Sequence, residues 1–306
     1  MYIGFDTSNY TTSVAVFDGE HMINKRRLLT VKSGERGLRQ SDAVFQHTVN
    51  MPSLISEISV DKNNIRAVAV SSRPRNIDGS YMPCFLVGIN NAVSVSKFSG
   101  APLYKTSHQV GHILAGLYSI ERLDLINEPF VAFHISGGTT EALLVEPDND
   151  EIITAKIIAQ SSDLKAGQAI DRAGVMMGLP FPCGKELDRL SLLSEKKYKI
   201  KPSLNGLDCS LSGVENKAKK LFENGESKED ISKFVLTYIA NSIDEMTQRI
   251  IDVYGNIPIM FVGGVMSNTL IRNQITKKYN AYFAEPDLSC DNACGIAIYA
   301  YLKDRK

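Results

Sequence analysis

The stretch YIGFDTSNYTTSVAVFDGE, residues 2–20, has a counterpart in PFVAFHISGGTTEALLVEP, residues 129–147. Each is an apolar run, a polar turn rich in hydroxyls, and a second apolar run. In the first, Ile3 and Phe5 alternate with Gly4 and Asp6, the period of two that a strand imposes. A third β-rich segment follows each: HMINKRRLLTV at 21–31 and EIITAKIIAQ at 151–160. This duplication predicts two similar α/β lobes with a cleft between them, each sheet covered by helices.

The rest of the chain fills in both halves. Residues 41–58 carry apolar side chains at helical spacing, with Ser41 as the expected N-cap. IRAVAVSS at 65–72 reads as a buried strand, RPRNIDGSYMPC as a long polar loop, and FLVGINNAVSVSKFSG as a helix ending at Gly100. Further on come a helix around Ala169 to Met177, a Pro- and Gly-rich loop, a turn (LDCSLSG) opening a basic helix, and a long amphipathic helix or helix pair over 227–255. IPIMFVGG is a buried strand entering a glycine turn, and the chain closes on a helix with Asp291 near its start. A division into residues 1–105 and 106–306 is expected, the last helix packing back on the first lobe.

Composition narrows the function classes. Of 306 residues, 43% are hydrophobic and 22% charged, and 34 Lys plus Arg balance 34 Asp plus Glu. Nucleic-acid binding by bulk positive charge is therefore not expected. No run of about 18 apolar residues occurs, so no membrane helix is expected. The five cysteines are scattered without a CxxC pair, which argues against a disulfide framework and fits a reducing cytoplasm.

Three kinds of residue pattern could carry chemistry. Polar turns at strand ends (Asp6 to Ser8, Ser136 to Thr140, Gly263 to Val265) let backbone amides approach a phosphate or ribose. They match neither the dinucleotide fingerprint nor the Walker loop. In KTSHQVGHILAG, residues 105–116, His108 and His112 share one helical face and can hold a divalent metal, or they are incidental surface histidines. The Glu that would follow the first His in a helical zinc peptidase is Gln109, so that chemistry is disfavoured. Asp291 is the best remote carboxylate for such a metal. Asp171 could accept ribose hydroxyls or pair with Arg172, and Asn268 could read a base or phosphate. The tracts NKRR, EKKYKIK and NKAKK are either solvated faces or RNA contacts.

In order, these motifs resemble those of the tRNA threonylcarbamoyladenosine transferase family, long catalogued as glycoproteases of peptidase family M22. GFDTSNYTTSVAV resembles the family's G-I-E-T-S opening. SHQVGHILA resembles N-H-x-x-G/A-H, and ISGGTTE resembles V-S-G-G-H-T. AGQAIDRAGVMMGLPFPCG resembles the A-F-D and Y-P-G-G motifs, and VGGVMSN and CDNACGIA resemble A-G-G-V-A/S-A-N and T-D-N-A. The resemblance implies an actin-like (ASKHA, ribonuclease-H-like) fold of two duplicated lobes around a nucleotide-binding cleft.

It also implies one divalent metal, iron or zinc, on His108, His112 and Asp291. An adenylate or ATP ligand would be contacted by His134, Ile135, Ser136, Gly137, Gly138, Asp171, Gly184 and Asn268. The implied reaction transfers threonylcarbamoyl from its adenylate to the exocyclic amine of the tRNA adenosine beside the anticodon, with no side-chain nucleophile. Partners would be tRNA, engaged with help, and sister subunits of a threonylcarbamoylation complex. Several positions depart from the family: Arg73 and Arg75 replace loop glycines, Thr139 replaces the S-G-G-H-T histidine, Cys183 replaces the first glycine of P-G-G, and Asn9-Tyr10 replaces an acidic pair. These changes leave open a divergent paralogue acting on another acceptor or acyl-adenylate, or a non-catalytic nucleotide-binding subunit. The retained histidines speak against the second.

Overall fold

The computed structural model describes residues 1–8, 10–31, 38–288 and 292–306. Asp291, Cys290, Asn9 and most of the Gly- and Arg-rich loop at 33–40 lie outside the described residues. The chain divides into two compact units: residues 1–128, 146–155 and 287–306 in one, and 129–145 with 156–286 in the other. The histidine helix and the last helix both belong to the first unit, so the observed division does not follow a break at 105/106.

The first unit is built on strands β1 (Tyr2–Ser8), β2 (Thr11–Phe17) and β3 (Met22–Leu28), then helix α1 (Gln40–Ser56), β4 (Ala67–Arg73), α2 (Phe85–Ser99), β5 (Leu103–Ser107) and α3 (His108–Ser119). Its sheet order is β3-β2-β1-β4-β5, the first three strands antiparallel and the last three parallel. β1 is buried along its whole length because both faces are covered. Ile3 and Phe5 join Met51 and Leu54 of α1 and Ala92 of α2 in one apolar cluster. Gly4 faces the other way, and its missing Cβ admits backbone from the last helix: a Cβ there would stand 2.4 Å from the Ala297 nitrogen.

The second unit repeats this plan. β6 (Phe130–Ile135), β7 (Thr140–Asp148) and β8 (Ile152–Gln160) precede α4 (Ala166–Met176), α5 (Gly184–Ser191), the short pair β9 (Ser203–Asn205) and β10 (Asp208–Ser210), α6 (Ser212–Glu223) and α7 (Lys228–Tyr254). β11 (Ile259–Val262), α8 (Thr269–Thr276) and β12 (Ala281–Phe283) follow, and α9 (Cys294–Asp304) returns to the first unit. The sheet order β8-β7-β6-β11-β12 is the order of the first sheet over again. Its core face carries a ladder: Phe133, Phe261 and Phe283 lie in register and stack at 4.7 and 5.2 Å. Such pairs add about 0.5–1.5 kcal/mol each beyond the area they bury.

One local expectation is revised: α1 starts at Gln40 with Arg39 at the N-cap, not at Ser41. Of the two alternatives for 227–255, the structure shows one helix, Lys228–Tyr254. The Pro- and Gly-rich loop is followed by a short helix, α5, that the sequence pattern did not announce. The four described cysteines are buried and in no disulfide, and among the described residues no helix is long and apolar enough to cross a membrane.

Candidate functional site

In the first unit, the histidine pair begins α3. Ser107 caps the helix, its hydroxyl accepting from the Val110 amide at 3.2 Å, and the Pro74 carbonyl accepts from the Gln109 amide at 3.0 Å. Val110, Ile113, Leu114 and Leu117 fasten the buried side of the helix. That leaves His108 and His112 together on a partly exposed face, ring centroids 4.3 Å apart. Neither ring is fully exposed. The His108 side chain is 19% exposed, and its Nδ1 lies 2.6 Å from Oδ2 of Asp6, itself 1% exposed. Asp6 Oδ1 also accepts from the Ser8 amide at 2.8 Å.

This donor set suits a divalent cation. A proton on Nδ1, directed at a carboxylate, puts the lone pair on Nε2, the arrangement usual for metal-bound histidine. Among the described residues no three His, Cys, Asp or Glu converge as a complete ligand set, and Asp291 is not among them. α9, which Asp291 precedes, is pinned at its start: Asn292 Oδ1 accepts from the Cys294 amide at 2.9 Å, and Ser13 Oγ from the Ala293 amide at 2.8 Å.

In the second unit, a cavity of about 670 Å³ is lined by Gly137, Gly167, Asp171, Phe181, Gly184, Lys185, Asp188, Gly264 and Asn268, among others. That size suits a nucleotide. The sequence builds it by tying turns to helix starts. The SGGTT turn closes on itself through the Ser136 amide and the Thr139 carbonyl at 2.8 Å. It also satisfies the first amides of α4: Ala166 donates to Thr140 Oγ1 at 2.8 Å and Gly167 to the Ser136 carbonyl at 3.2 Å. Gly167 is obligatory there, since a Cβ would stand 2.6 Å from the Gly137 Cα. Asp171 accepts from the Cys183 amide at 2.8 Å, folding the Pro- and Gly-rich loop over α4. Arg172, its expected partner, pairs with Glu215 instead.

Four glycines at this site have a different explanation. At Gly137, Gly138, Gly184 and Gly264 an added Cβ would meet nothing within 4 Å, and none has a positive φ. Neither packing nor backbone conformation requires glycine at these positions, three of which line the cavity. What the missing side chains leave is room for a ligand against the backbone.

Of the residues expected to hold an adenylate, the cavity gathers Gly137, Asp171, Gly184 and Asn268. Gly138 and Ser136 belong to the same turn. His134 and Ile135 end β6, and the Ile135 side chain is fully buried in the apolar core. Asn268 Oδ1 caps α8 through the Ile271 amide at 3.1 Å. The sequence reading missed Asp188, which lines the cavity and accepts from both the Thr269 amide and its hydroxyl, fixing the residue next to Asn268. It placed Asp6 only within a polar turn, without a partner, and it missed His47, whose ring is fully buried with Nδ1 2.8 Å from Thr12 Oγ1; burial holds its pKa down. For His47, an imidazole in line with Ala43, Met51 and Leu54 on one helical stripe was the available signal.

The departures from the family motifs have partners too. Arg73 lies 3.7 Å from Glu151, a residue that also accepts from Asn76 at 3.4 Å and from the Tyr299 hydroxyl at 3.5 Å. The loop therefore braces α9 and, through Pro74, the start of α3. In the basic tracts, Lys196 pairs with Glu226 and Asp230, Lys219 with Glu223, and Lys25 and Arg27 with Glu57.

Known structures share this fold. Full-length HypF in a phosphate- and nucleotide-bound form superposes with a TM-score of 0.62 at 13% identity, over 99% of this chain and 55% of that one. Component A of the (R)-2-hydroxyglutaryl-CoA dehydratase of Acidaminococcus fermentans gives 0.60 at 15% identity, over 100% and 99%. The ROK hexokinase of Thermus thermophilus gives 0.51 at 14%, over 99% of each. With the repeated sheet order, they define an α/β protein of two actin-like lobes.

The family model for tRNA N6-adenosine threonylcarbamoyltransferase matches residues 33–298, and the chain belongs to that family. Enzymes of that name from Streptococcus pneumoniae (strain Taiwan19F-14) and Kosmotoga olearia are 25% and 28% identical to it. The matches cover 99% and 86% of this chain and 91% and 81% of theirs.

Proposed function

We propose that the protein transfers a threonylcarbamoyl group from threonylcarbamoyl-adenylate to the exocyclic amine of the adenosine beside the anticodon in tRNA. Family membership supports the reaction class. The observation that carries the site is the cavity lined by Gly137, Gly184 and Gly264, which answer to no packing demand, together with Asp171 and Asn268. Asp171 would accept ribose hydroxyls, and the amides of the Gly137–Gly138 turn would face the phosphate and stabilise the charge it gains on leaving. The tRNA amine attacks the carbamoyl carbon, the bond from that carbon to the phosphate oxygen breaks, AMP departs and the amine gives up a proton. The nucleophile belongs to the substrate, so no Ser, Cys or Lys nucleophile is needed.

His108, His112 and Asp291 would hold one iron or zinc ion. Bound there, the metal would supply Lewis acidity and a template for the acyl group. The packing of α9 against α3, described below, supports Asp291 as the third ligand. With a formal net charge of zero, tRNA engagement calls for help from sister subunits. Exposed apolar side chains on two packed helices, Phe45 and Val49 of α1 with Leu86 and Val93 of α2, suit such a partner.

The test is complementation of a strain depleted of its own threonylcarbamoyl transferase, alongside an assay of the purified protein for AMP release dependent on tRNA. Rescue is expected. Intact nucleotide and metal binding without rescue would point to the divergent-paralogue reading, another acceptor or acyl-adenylate. Nucleotide binding without metal binding or turnover would point to the non-catalytic subunit.

A further inference from the structure

Asp6 lies in the middle of a central strand, a position where Asp is disfavoured, among residues that are buried throughout. Burying a carboxylate is costly unless it is paired and hydrogen-bonded. An apolar residue would serve the sheet as well or better, so its presence needs another reason. Its geometry supplies one. On β1, side chains alternate: Ile3 and Phe5 enter the cluster with α1 and α2, whereas Gly4 faces α9, and Asp6 shares the face of Gly4. One carboxylate oxygen is 2.6 Å from Nδ1 of His108; the other accepts from the Ser8 amide at 2.8 Å, at the edge of the β1–β2 turn.

We propose that Asp6 is the positioning residue for His108. It accepts the Nδ1 proton, fixes the ring plane, and thereby presents Nε2 as the metal-binding nitrogen, while its second oxygen ties that ring to the β1–β2 turn. The metal part rests on the reading of His108 and His112 as ligands; the ring assignment stands on the contact itself. The side chain is short, and it already reaches Nδ1 of His108 at 2.6 Å. The spacing from strand to ring is therefore set for the shorter acid, and Asp6→Glu would push the ring rather than merely reach it.

The experiment uses the full-length protein with Zn²⁺ as probe. Nitrogen NMR of the imidazoles, assigned through His108→Ala, reads which nitrogen of His108 takes the metal, and chelator competition reads the affinity. Expected for wild type is metal on Nε2 and a proton on Nδ1. Asp6→Asn should weaken zinc binding roughly 10–100-fold, the usual cost of removing such a partner. It should also loosen or reverse the nitrogen preference of His108, because an amide can offer Nδ1 a donor instead of an acceptor. Asp6→Glu should retain the preference with intermediate affinity. Metal on Nδ1 of wild-type His108, or a folded Asp6→Asn protein with unchanged zinc affinity and unchanged nitrogen preference, overturns the proposal. If wild type takes no zinc at all, the metal reading fails, and the metal-free spectrum still decides whether Asp6 holds the Nδ1 proton. That wild-type measurement needs no variant to fold.

Discussion

Gly295 on α9 lies so close to Gly111 on α3 that a Cβ on Gly295 would stand 1.8 Å from the Gly111 carbonyl oxygen. Gly111 falls between His108 and His112, and Gly295 follows Asp291 in the CDNACG motif. The contact is backbone against backbone, so no side chain can rotate to relieve it. Gly295→Ala must displace one helix. Overpacking of this kind costs about 1–3 kcal/mol, occasionally more. A lowered melting temperature is expected, together with weaker zinc binding, because one of the two helices carries the histidines and the other follows Asp291 in sequence. An alanine variant that melts like wild type would show the helices to be free to separate.

The opposite outcome is expected at the open glycines. Gly137→Ala and Gly264→Ala add a methyl group that meets no protein atom within 4 Å, so stability should stay within about 0.5 kcal/mol of wild type. If an adenylate lies against that backbone, its affinity should fall roughly 10–200-fold, the range for one methyl-sized change in a fitted pocket. Calorimetric titration with AMP and thermal melting of the same samples separate the two effects. Unchanged AMP affinity in both variants would remove the adenylate from this cavity.

Local pattern made much of the fold legible. The two hairpins follow from period-two alternation, and α2 ends where Gly100 adopts a φ of 77°, a conformation glycine alone takes without strain. What was not legible depends on contacts far apart in the chain. β5 and β12 have five and three residues and exist because β4 and β11 offer them an edge. α5 has eight residues, placed by the Asp171 to Cys183 bond and by Asp188 holding Thr269. Ser41 looked like a cap, but the helix opens at Gln40, whose side chain accepts from the Cys84 amide at 3.3 Å. At the site, glycine turns and the histidine spacing were readable, since spacing is local. Asp6 was not, because its role appears only when β1 and α3 come together, 102 residues apart.

Asp163 offers a test in pH. Burial opposes its ionisation, but hydrogen bonds from the Ser210 hydroxyl, the Leu211 amide, Ser212 and the Leu164 amide outweigh it, and its pKa is held well below the usual carboxylate range. A depressed folded pKa means stability that is fully present above the unfolded value of about 3.9 and lost as pH falls through the folded one. The carboxylate serves as a cap for α6, so Asp163→Ala should cost about 0.5–2 kcal/mol at pH 7. In urea melts, that deficit against wild type should persist down to about pH 4 and shrink below it. A deficit that stays constant to pH 2 or grows on acidification would contradict the assignment.

Phe181 offers a test of purine binding in the second unit. It lines the cavity, yet its side chain is 73% exposed, so the ring contributes little to the core. An aromatic face at a nucleotide-sized cavity can serve as a stacking platform, and stacking on a base is worth about 1–3 kcal/mol by alanine substitution. Phe181→Ala should therefore weaken AMP binding roughly 5–150-fold, leave the melting temperature unchanged, and leave ribose 5-phosphate binding, which has no base to lose, where it was. Phe181→Tyr should bind AMP like wild type, since the ring face is kept. Equal losses for AMP and ribose 5-phosphate would mean that the ring shapes the loop instead of meeting the base. No loss for either would put the base elsewhere in the cavity, on the side of Ile170 and Val265.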